Sequence, residues 1–431
     1  MSIDLTKMQL SRVHWVDALR GIAIFMMIMV HLYNSWAEVS ISNSSSLPLY
    51  VYLLGMAPAF FLAVVGMSMF LSLRRRGTSL YHLKRGAWLF IGGFSLGMAT
   101  IQPQIFGIFQ IIGFSIILID LFHRLNLSSR GYLINVIVVF ILTIAVNLLS
   151  PNTSSEYFFS ISKPYAYTRF DLVSYSSDIP FYIFIENMLL ARVSYPILPW
   201  VSFALLGYIL AKFLLENDSS NRRSIACLGM GILLVILSIS FMAIGFPIYK
   251  YPTTLNYVVL SSGVFVISTA LIKMVYDLHT SAKRNSISKS VEYVGQYAFE
   301  IFILQYYVIA VGAAFISLEY SLLVVAMISS CIFLLVAVMI SNAYGNDILV
   351  KFGFFRFTGV LRKYSLYLTI SSFIVLASIF YYQNELFLIT GNVAFYLISR
   401  GSSFVSILLV YWQIMLGRNT PLEPFSENQP A

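Results

Sequence analysis

The chain has 431 residues, 59% of them hydrophobic and 10% charged, with a mean hydropathy of +0.82 and a formal net charge of +9. About a quarter of the residues of a soluble domain carry charge, so a soluble globular protein is excluded and an all-α, polytopic membrane helix bundle is expected. Nucleic acid, which the positive balance would suggest in a soluble chain, is set aside, because Lys and Arg collect in the cytoplasmic loops of membrane proteins.

A membrane span needs about 20 mostly apolar residues. Taken in order, the candidates are 15–36, 49–72, 84–101, 105–123, 131–149, 196–215, 224–246, 254–275, 292–316, 320–341, 364–383 and 393–416. These predict about 10–12 transmembrane helices. With residues 1–14 inside, only Lys163, Arg169, Arg192, Lys250 and Arg400 of the 27 basic residues fall outside. Both termini, 1–14 and 417–431, are therefore expected in the cytoplasm. The first span lacks a cleavage site and reads as retained. Residues 150–195 form one long external segment, in which Ile179 to Leu190 could lie on the membrane surface as a short helix; a lid, part of an acceptor site and a plain structural cover are the alternative roles. Residues 342–363, with four phenylalanines among basic residues, read as a cytoplasmic interfacial segment. Neither a low-complexity tract nor an internal repeat divides the chain, so 15–416 is read as a single integral domain. Cys227 and Cys331 lie singly in predicted spans and indicate no disulfide framework.

The first span carries Asp17, Arg20 and His31 among apolar residues. At about 100° per residue, Arg20 and His31 lie about 20° from alignment, and Asp17 and His31 about 40°. All three share one helical face, with Arg20 and His31 roughly 16 Å apart along it. Polar groups inside a span are costly and usually face a protein interior or a watery cavity. An imidazole with an ordinary pKa near 6.5 can take a proton from an attacking hydroxyl or amine. The plainer alternative for His31 is an interfacial ring bonded to water or a carbonyl. Arg20 could hold a phosphate of a cytoplasmic donor, or it could pair with Asp17 at i, i+3. Gln110 could donate to a developing oxyanion or bond a neighbouring helix. Trp200, with Pro196 and Pro199, reads as an anchor at the membrane interface, with stacking on an acceptor as the alternative. Glu300 is a carboxylate within a span, either paired between helices or orienting His31. His14, His82, His123 and His279 lie near the inner boundaries without ligand spacing, and no metal site emerges.

Arg20 followed eleven positions later by His31 resembles the motif of transmembrane acyltransferases, including the acyltransferase type 3 family. Val16-Asp-Ala-Leu-Arg-Gly-Ile-Ala, followed by Met29-Val-His, is more similar to the heparan-alpha-glucosaminide N-acetyltransferase catalytic-domain family. Three later stretches agree with that resemblance: Ala59-Phe-Phe-Leu-Ala-Val-Val-Gly with Arg74-Arg-Arg, Gly107-Ile-Phe-Gln-Ile-Ile-Gly113, and Tyr195-Pro-Ile-Leu-Pro-Trp-Val. A weaker echo runs from Gly295 to Gln305. The resemblance implies a membrane enzyme that moves an acyl group, the acetyl of acetyl-CoA, from the cytoplasm to a sugar or glycan acceptor across the bilayer; the orientation and the lack of an organelle signal suggest a multi-pass protein of the plasma membrane. It implies acyl-CoA and the acceptor as partners, beside the membrane lipids. The catalytic set would be His31, Arg20 and Asp17, with Gln110, Trp200 and Glu300 binding substrate. There are departures. Relatives carry a histidine in the connection after the first span, and 34–50 contains none. Gln110 is followed by Ile111 where relatives have Arg, and Gln305 stands where they often have His. A glycan transporter and a non-catalytic membrane scaffold are the competing readings. The oligomeric state is not indicated.

Overall fold

The computed structural model describes residues 13–36, 53–77, 80–99, 107–125, 127, 129–149, 195, 197–215, 220–246, 248, 254–278, 286–299, 301, 302 and 305. The expected spans 320–341, 364–383 and 393–416, nearly all of the external segment, and Glu300 lie outside these residues.

Among the described residues the structure is helical, with no strand. The helices are α1 (His14–Trp36), α2 (Ala57–Arg76), α3 (Leu80–Ala99), α4 (Ile108–Arg124), α5 (Ser129–Leu149), α6 (Ile197–Leu215), α7 (Ser220–Ala243), α8 (Leu255–Leu278) and α9 (Ser286–Gln296). The first eight coincide with expected spans, and α9 covers the start of the ninth. By length and composition α1, α2, α6, α7 and α8 can each cross a membrane.

Local chemistry sets the ends of these helices. Pro58 sits in the first turn of α2, where its missing N–H costs no intrahelical bond. Arg74, Arg75 and Arg76 fill its last turn, where positive charge meets the negative end of the helix dipole. Gly77 then closes α2 at φ 64°, its N–H bonded to the Leu73 carbonyl at 2.7 Å. At the start of α4 the Gln110 side chain reaches back to accept the Gly107 N–H at 2.9 Å. At the start of α6, Leu198 is extended (φ −100°, ψ 124°), as a residue before proline prefers.

The core is built on α2 and α6, which pack against each other and against α1, α4, α5 and α8. Their approach is close because both contact residues are glycines. A Cβ at Gly66 would stand 1.8 Å from the Ala204 carbonyl oxygen, and one at Gly207 would stand 1.8 Å from that of Ala63. α1 and α9 meet in the same way through Gly21 and Gly295, the latter lying over the Asp17 backbone. Small residues that let backbones touch are a main source of helix association in lipid, where hydrophobic burial gives no net drive. Aromatic rings fill the rest: Phe60 meets Phe265 edge-on at 5.2 Å, and Phe109 meets Phe302 at 4.8 Å. The described side chains of α5 and α7 instead expose Leu, Ile and Met, a surface suited to hydrocarbon.

Candidate active site

The short connections after α2, α4, α6 and α8 bring the ends of those helices together with the starts of α3, α5, α7 and α9. Arg74–Arg76, Lys84, Arg85, Arg124, Arg130, Arg222 and Arg223 all fall at this basic end. Cross-contacts hold it together. Arg74 donates to the Leu215 carbonyl at 3.2 Å. His14 Nδ1 and the Tyr276 hydroxyl both reach Glu292, at 2.7 and 3.0 Å. His123 Nδ1 lies 3.2 Å from the Tyr208 hydroxyl, and the Tyr208 ring stacks on Tyr132 at 4.4 Å.

Inside this end a polar seam crosses four helices. On α1, Asp17 is buried and pairs with Arg20, as the i, i+3 spacing suggests. Arg20 also donates from Nε and Nη2 to Ser68 Oγ on α2, at 2.9 and 2.6 Å. The Ser68 hydroxyl in turn donates a hydrogen bond to the Val64 carbonyl at 2.6 Å. The Arg20 side chain keeps 24% of its surface exposed, against 3% for Asp17, so the guanidinium is the part of this pair that a ligand can reach.

One turn further along α2, roughly 6 Å by helical rise, Ser72 Oγ lies 2.8 Å from His82 Nε2 on α3. His82 Nδ1 faces Asp120 Oδ1 on α4 at 3.4 Å, and both side chains are fully buried. The second Asp120 oxygen accepts Arg124 Nε at 2.7 Å. The charges in reach of His82 are Asp120, Arg85, Arg76 and Arg124.

Of the site residues expected from sequence, Asp17 and Arg20 come together. His31 lies eleven residues beyond Arg20 on the same unbroken helix, about 16 Å along the axis, and is half-buried. Gln110 is buried at the far end of α4; its carbonyl oxygen serves its own helix start, and its amide packs on Gly93. This differs from the expected bond to a neighbouring helix. Trp200 is not an interfacial anchor. It is fully buried, with Tyr195 at 4.9 Å, Phe203 at 5.7 Å and Tyr257 at 6.0 Å, because α6 runs through the middle of the bundle. Any acceptor stacking on it would have to enter that cluster. Ser68, Ser72, His82 and Asp120 were not singled out from sequence. Asp120 carried a usable signal, a carboxylate inside an apolar span with a basic residue at i+4. Among the described residues no group of three or more His, Cys, Asp or Glu is placed to hold a metal.

Apolar helices long enough to cross a bilayer, with a charged and hydrogen-bonded seam buried at one end, define a multi-pass membrane protein with internal polar chemistry. The family described as "Heparan-alpha-glucosaminide N-acetyltransferase, catalytic" matches residues 12–240, more than half of the chain, and the chain belongs to that family. The match spans α1–α6 and nearly all of α7, and so includes the whole seam. No curated protein matches the chain.

Proposed function

We propose that the protein transfers an acetyl group from cytoplasmic acetyl-CoA to a sugar or glycan acceptor on the outer side of the plasma membrane. The observation that carries this reading is the family match across the helices that bear Asp17, Arg20 and His31. The chemistry of the basic end fits the donor. Acetyl-CoA is a polyphosphate, and guanidinium groups bind phosphate in a planar, forked geometry. Arg74 and Arg75 are exposed there, and Arg20 is oriented by Asp17 and Ser68 with part of its surface open. Excess positive charge at that end favours the cytoplasmic side.

In this reading the nucleotide stays with the basic end, and the thioester arm follows the α1 face toward His31. His31 takes the proton from the attacking amine or hydroxyl as the carbonyl carbon becomes tetrahedral, and the thiol leaves with a proton. Asp17 acts through Arg20: by holding the guanidinium from one side it fixes the direction in which the cation can face a phosphate.

The test is acetyl-CoA binding to the purified protein, with and without Arg20→Ala. Loss of one forked phosphate contact is expected to weaken binding by roughly tenfold to a hundredfold, the equivalent of about 1.5–3 kcal/mol. Unchanged binding in the variant removes Arg20 from the donor site. Absence of binding in the wild-type protein removes acetyl-CoA as donor.

A further inference from the structure

A second reactive centre lies one turn from the Arg20 contact. We propose that Ser72, His82 and Asp120 form an activated-serine centre, in which Ser72 Oγ accepts the acyl group of a phosphate-bearing thioester that arrives at the basic end. The proposal does not rest on the transfer reaction at His31.

Three observations support it. The first is connectivity. Ser72 Oγ is 2.8 Å from His82 Nε2, and His82 Nδ1 faces Asp120 Oδ1 at 3.4 Å. This is nucleophile, base and orienting carboxylate in the order that serine nucleophiles require. The second is the tautomer. His82 Nδ1 and Asp120 Oδ1 are both buried 3.4 Å apart, at ion-pair distance, and neither makes a hydrogen bond in this geometry. With the proton on Nδ1, a donor lies beside the carboxylate oxygen, and Nε2 is left as an acceptor for the Ser72 hydroxyl. With the proton on Nε2, an imidazole lone pair would face a carboxylate oxygen in a buried site, which is unfavourable. The arrangement therefore selects the tautomer in which the imidazole can act as base toward Ser72. Arg124 donates to the other carboxylate oxygen at 2.7 Å and so fixes the orientation of Asp120.

The third observation is access. His82 and Asp120 are fully buried, whereas Ser72 is half-buried, so of the three residues only Ser72 keeps surface that a ligand can approach. Ser72 lies in the last turn and a half of α2, just before Arg74–Arg76, and the Arg76 and Arg85 charges face the same histidine. These cations suit a donor with phosphates on its carrier.

The chemistry balances without any further reagent. Ser72 Oγ attacks the thioester carbonyl carbon while His82 Nε2 takes the hydroxyl proton. The carbon–sulfur bond breaks, and that proton passes from Nε2 to the departing thiolate. O-acyl-Ser72, neutral His82 and a free thiol result. Water, deprotonated by the same imidazole, then attacks the ester carbonyl, releases the carboxylic acid and returns the proton to Ser72. Asp120 is a positioning residue, since it touches only the histidine.

The experiment uses the full chain in detergent micelles with two probes, a fluorophosphonate and acetyl-CoA, and locates the adduct by peptide mass spectrometry. Both are expected to modify Ser72. Ser72→Ala should abolish modification, and Ser72→Cys, close in shape, should form an acetyl thioester at the same position. His82→Gln should slow acylation by about 10²–10⁴-fold. Asp120→Asn should lower kcat for thioester hydrolysis on the order of 10²–10⁴-fold with KM unchanged, counted per site titrated by the fluorophosphonate so that loss of folded protein is excluded. Wild-type protein that is monodisperse yet carries neither adduct on Ser72 overturns the proposal, as does acylation that His82→Gln leaves at full rate. Modification by p-nitrophenyl acetate but not by acetyl-CoA overturns the phosphate-bearing thioester as donor. Acetyl transfer to glucosamine is followed on the same preparation. Transfer without Ser72 acylation removes this proposal alone, and acylation without transfer upholds it and removes the transferase reading.

Discussion

Gly207→Ala offers a sharp test of how the seam is held. A Cβ at this position would stand 1.8 Å from the Ala63 carbonyl oxygen and 2.6 Å from the Ala63 carbonyl carbon. Ordinary van der Waals separation begins near 3.4 Å, so α2 and α6 must part by roughly 1.5 Å to accept one methyl group. The obstacle is backbone on both sides, and no rotamer change relieves it. Overpacking of this kind costs about 1–3 kcal/mol. α2 also carries Ser68 and Ser72. A shift of that size directed away from α1 would lengthen the Arg20–Ser68 bonds, now 2.6 and 2.9 Å, past any useful hydrogen-bond distance. A displacement of about 1 Å at a reacting group can cost up to about 10²-fold in rate. The variant is therefore expected to melt below wild type and to lose transferase activity together. Gly229→Ala is the control, because nothing lies within 4 Å of a Cβ there; it should be neutral or stabilise by up to about 1 kcal/mol. The assay is the monodisperse fraction that survives a temperature series on size-exclusion chromatography, paired with acetyl transfer. If Gly207→Ala melts with the wild type, the α2–α6 contact is not as described. If Gly229→Ala falls as far as Gly207→Ala, glycine content and not close approach is being measured.

Three further outcomes follow from the ion pairs. Asp17 is buried while Arg20 is a quarter exposed, so Arg20→Ala, which strands a buried carboxylate, should destabilise more than Asp17→Ala. A double-mutant cycle of unfolding free energies should show coupling of about 0.5–3 kcal/mol, and additive values would contradict the pairing. Arg124→Ala leaves the Asp120 carboxylate without its cation and should cost about 1–3 kcal/mol; Arg124→Lys should recover part of it in the same unfolding measurement. Glu292 ties His14 of α1 and Tyr276 of α8 to α9 through its two oxygens. Glu292→Ala should raise amide hydrogen exchange across Ser286–Gln296, and unchanged protection there would show that the Gly21–Gly295 contact alone holds α9.

Hydropathy alone located eight of the helices, because a span must be about 20 apolar residues long whatever it packs against. The Asp17–Arg20 pair was legible for the same kind of reason: an i, i+3 spacing places two side chains together on any helix. Ser72, His82 and Asp120 were not legible as a group. They belong to three helices, and their meeting depends on which helices are neighbours, which periodicity does not encode. His82 read as one more boundary histidine, and Asp120 was hidden in a run of Ile, Leu and Phe. Trp200 was misplaced by a statistical habit, since tryptophan near a span end is often interfacial. Here the span that follows it runs through the middle of the bundle, so the indole packs inward. The family resemblance was visible in short stretches of α1, α2, α4 and α6, and the match over residues 12–240 agrees with it.

The measurement that bears most directly on the central claim is acetyl transfer in proteoliposomes, with acetyl-CoA on the side of the basic end and glucosamine on the other. The wild-type protein is predicted to form N-acetylglucosamine in the acceptor compartment. His31→Ala, monodisperse and reconstituted to the same density, is predicted to be slower by about 10²–10⁴-fold, the usual contribution of a general base. Transfer at the wild-type rate by His31→Ala would contradict the assignment of the base. No transfer by the wild-type protein, with acetyl-CoA supplied on either side, would contradict the account as a whole.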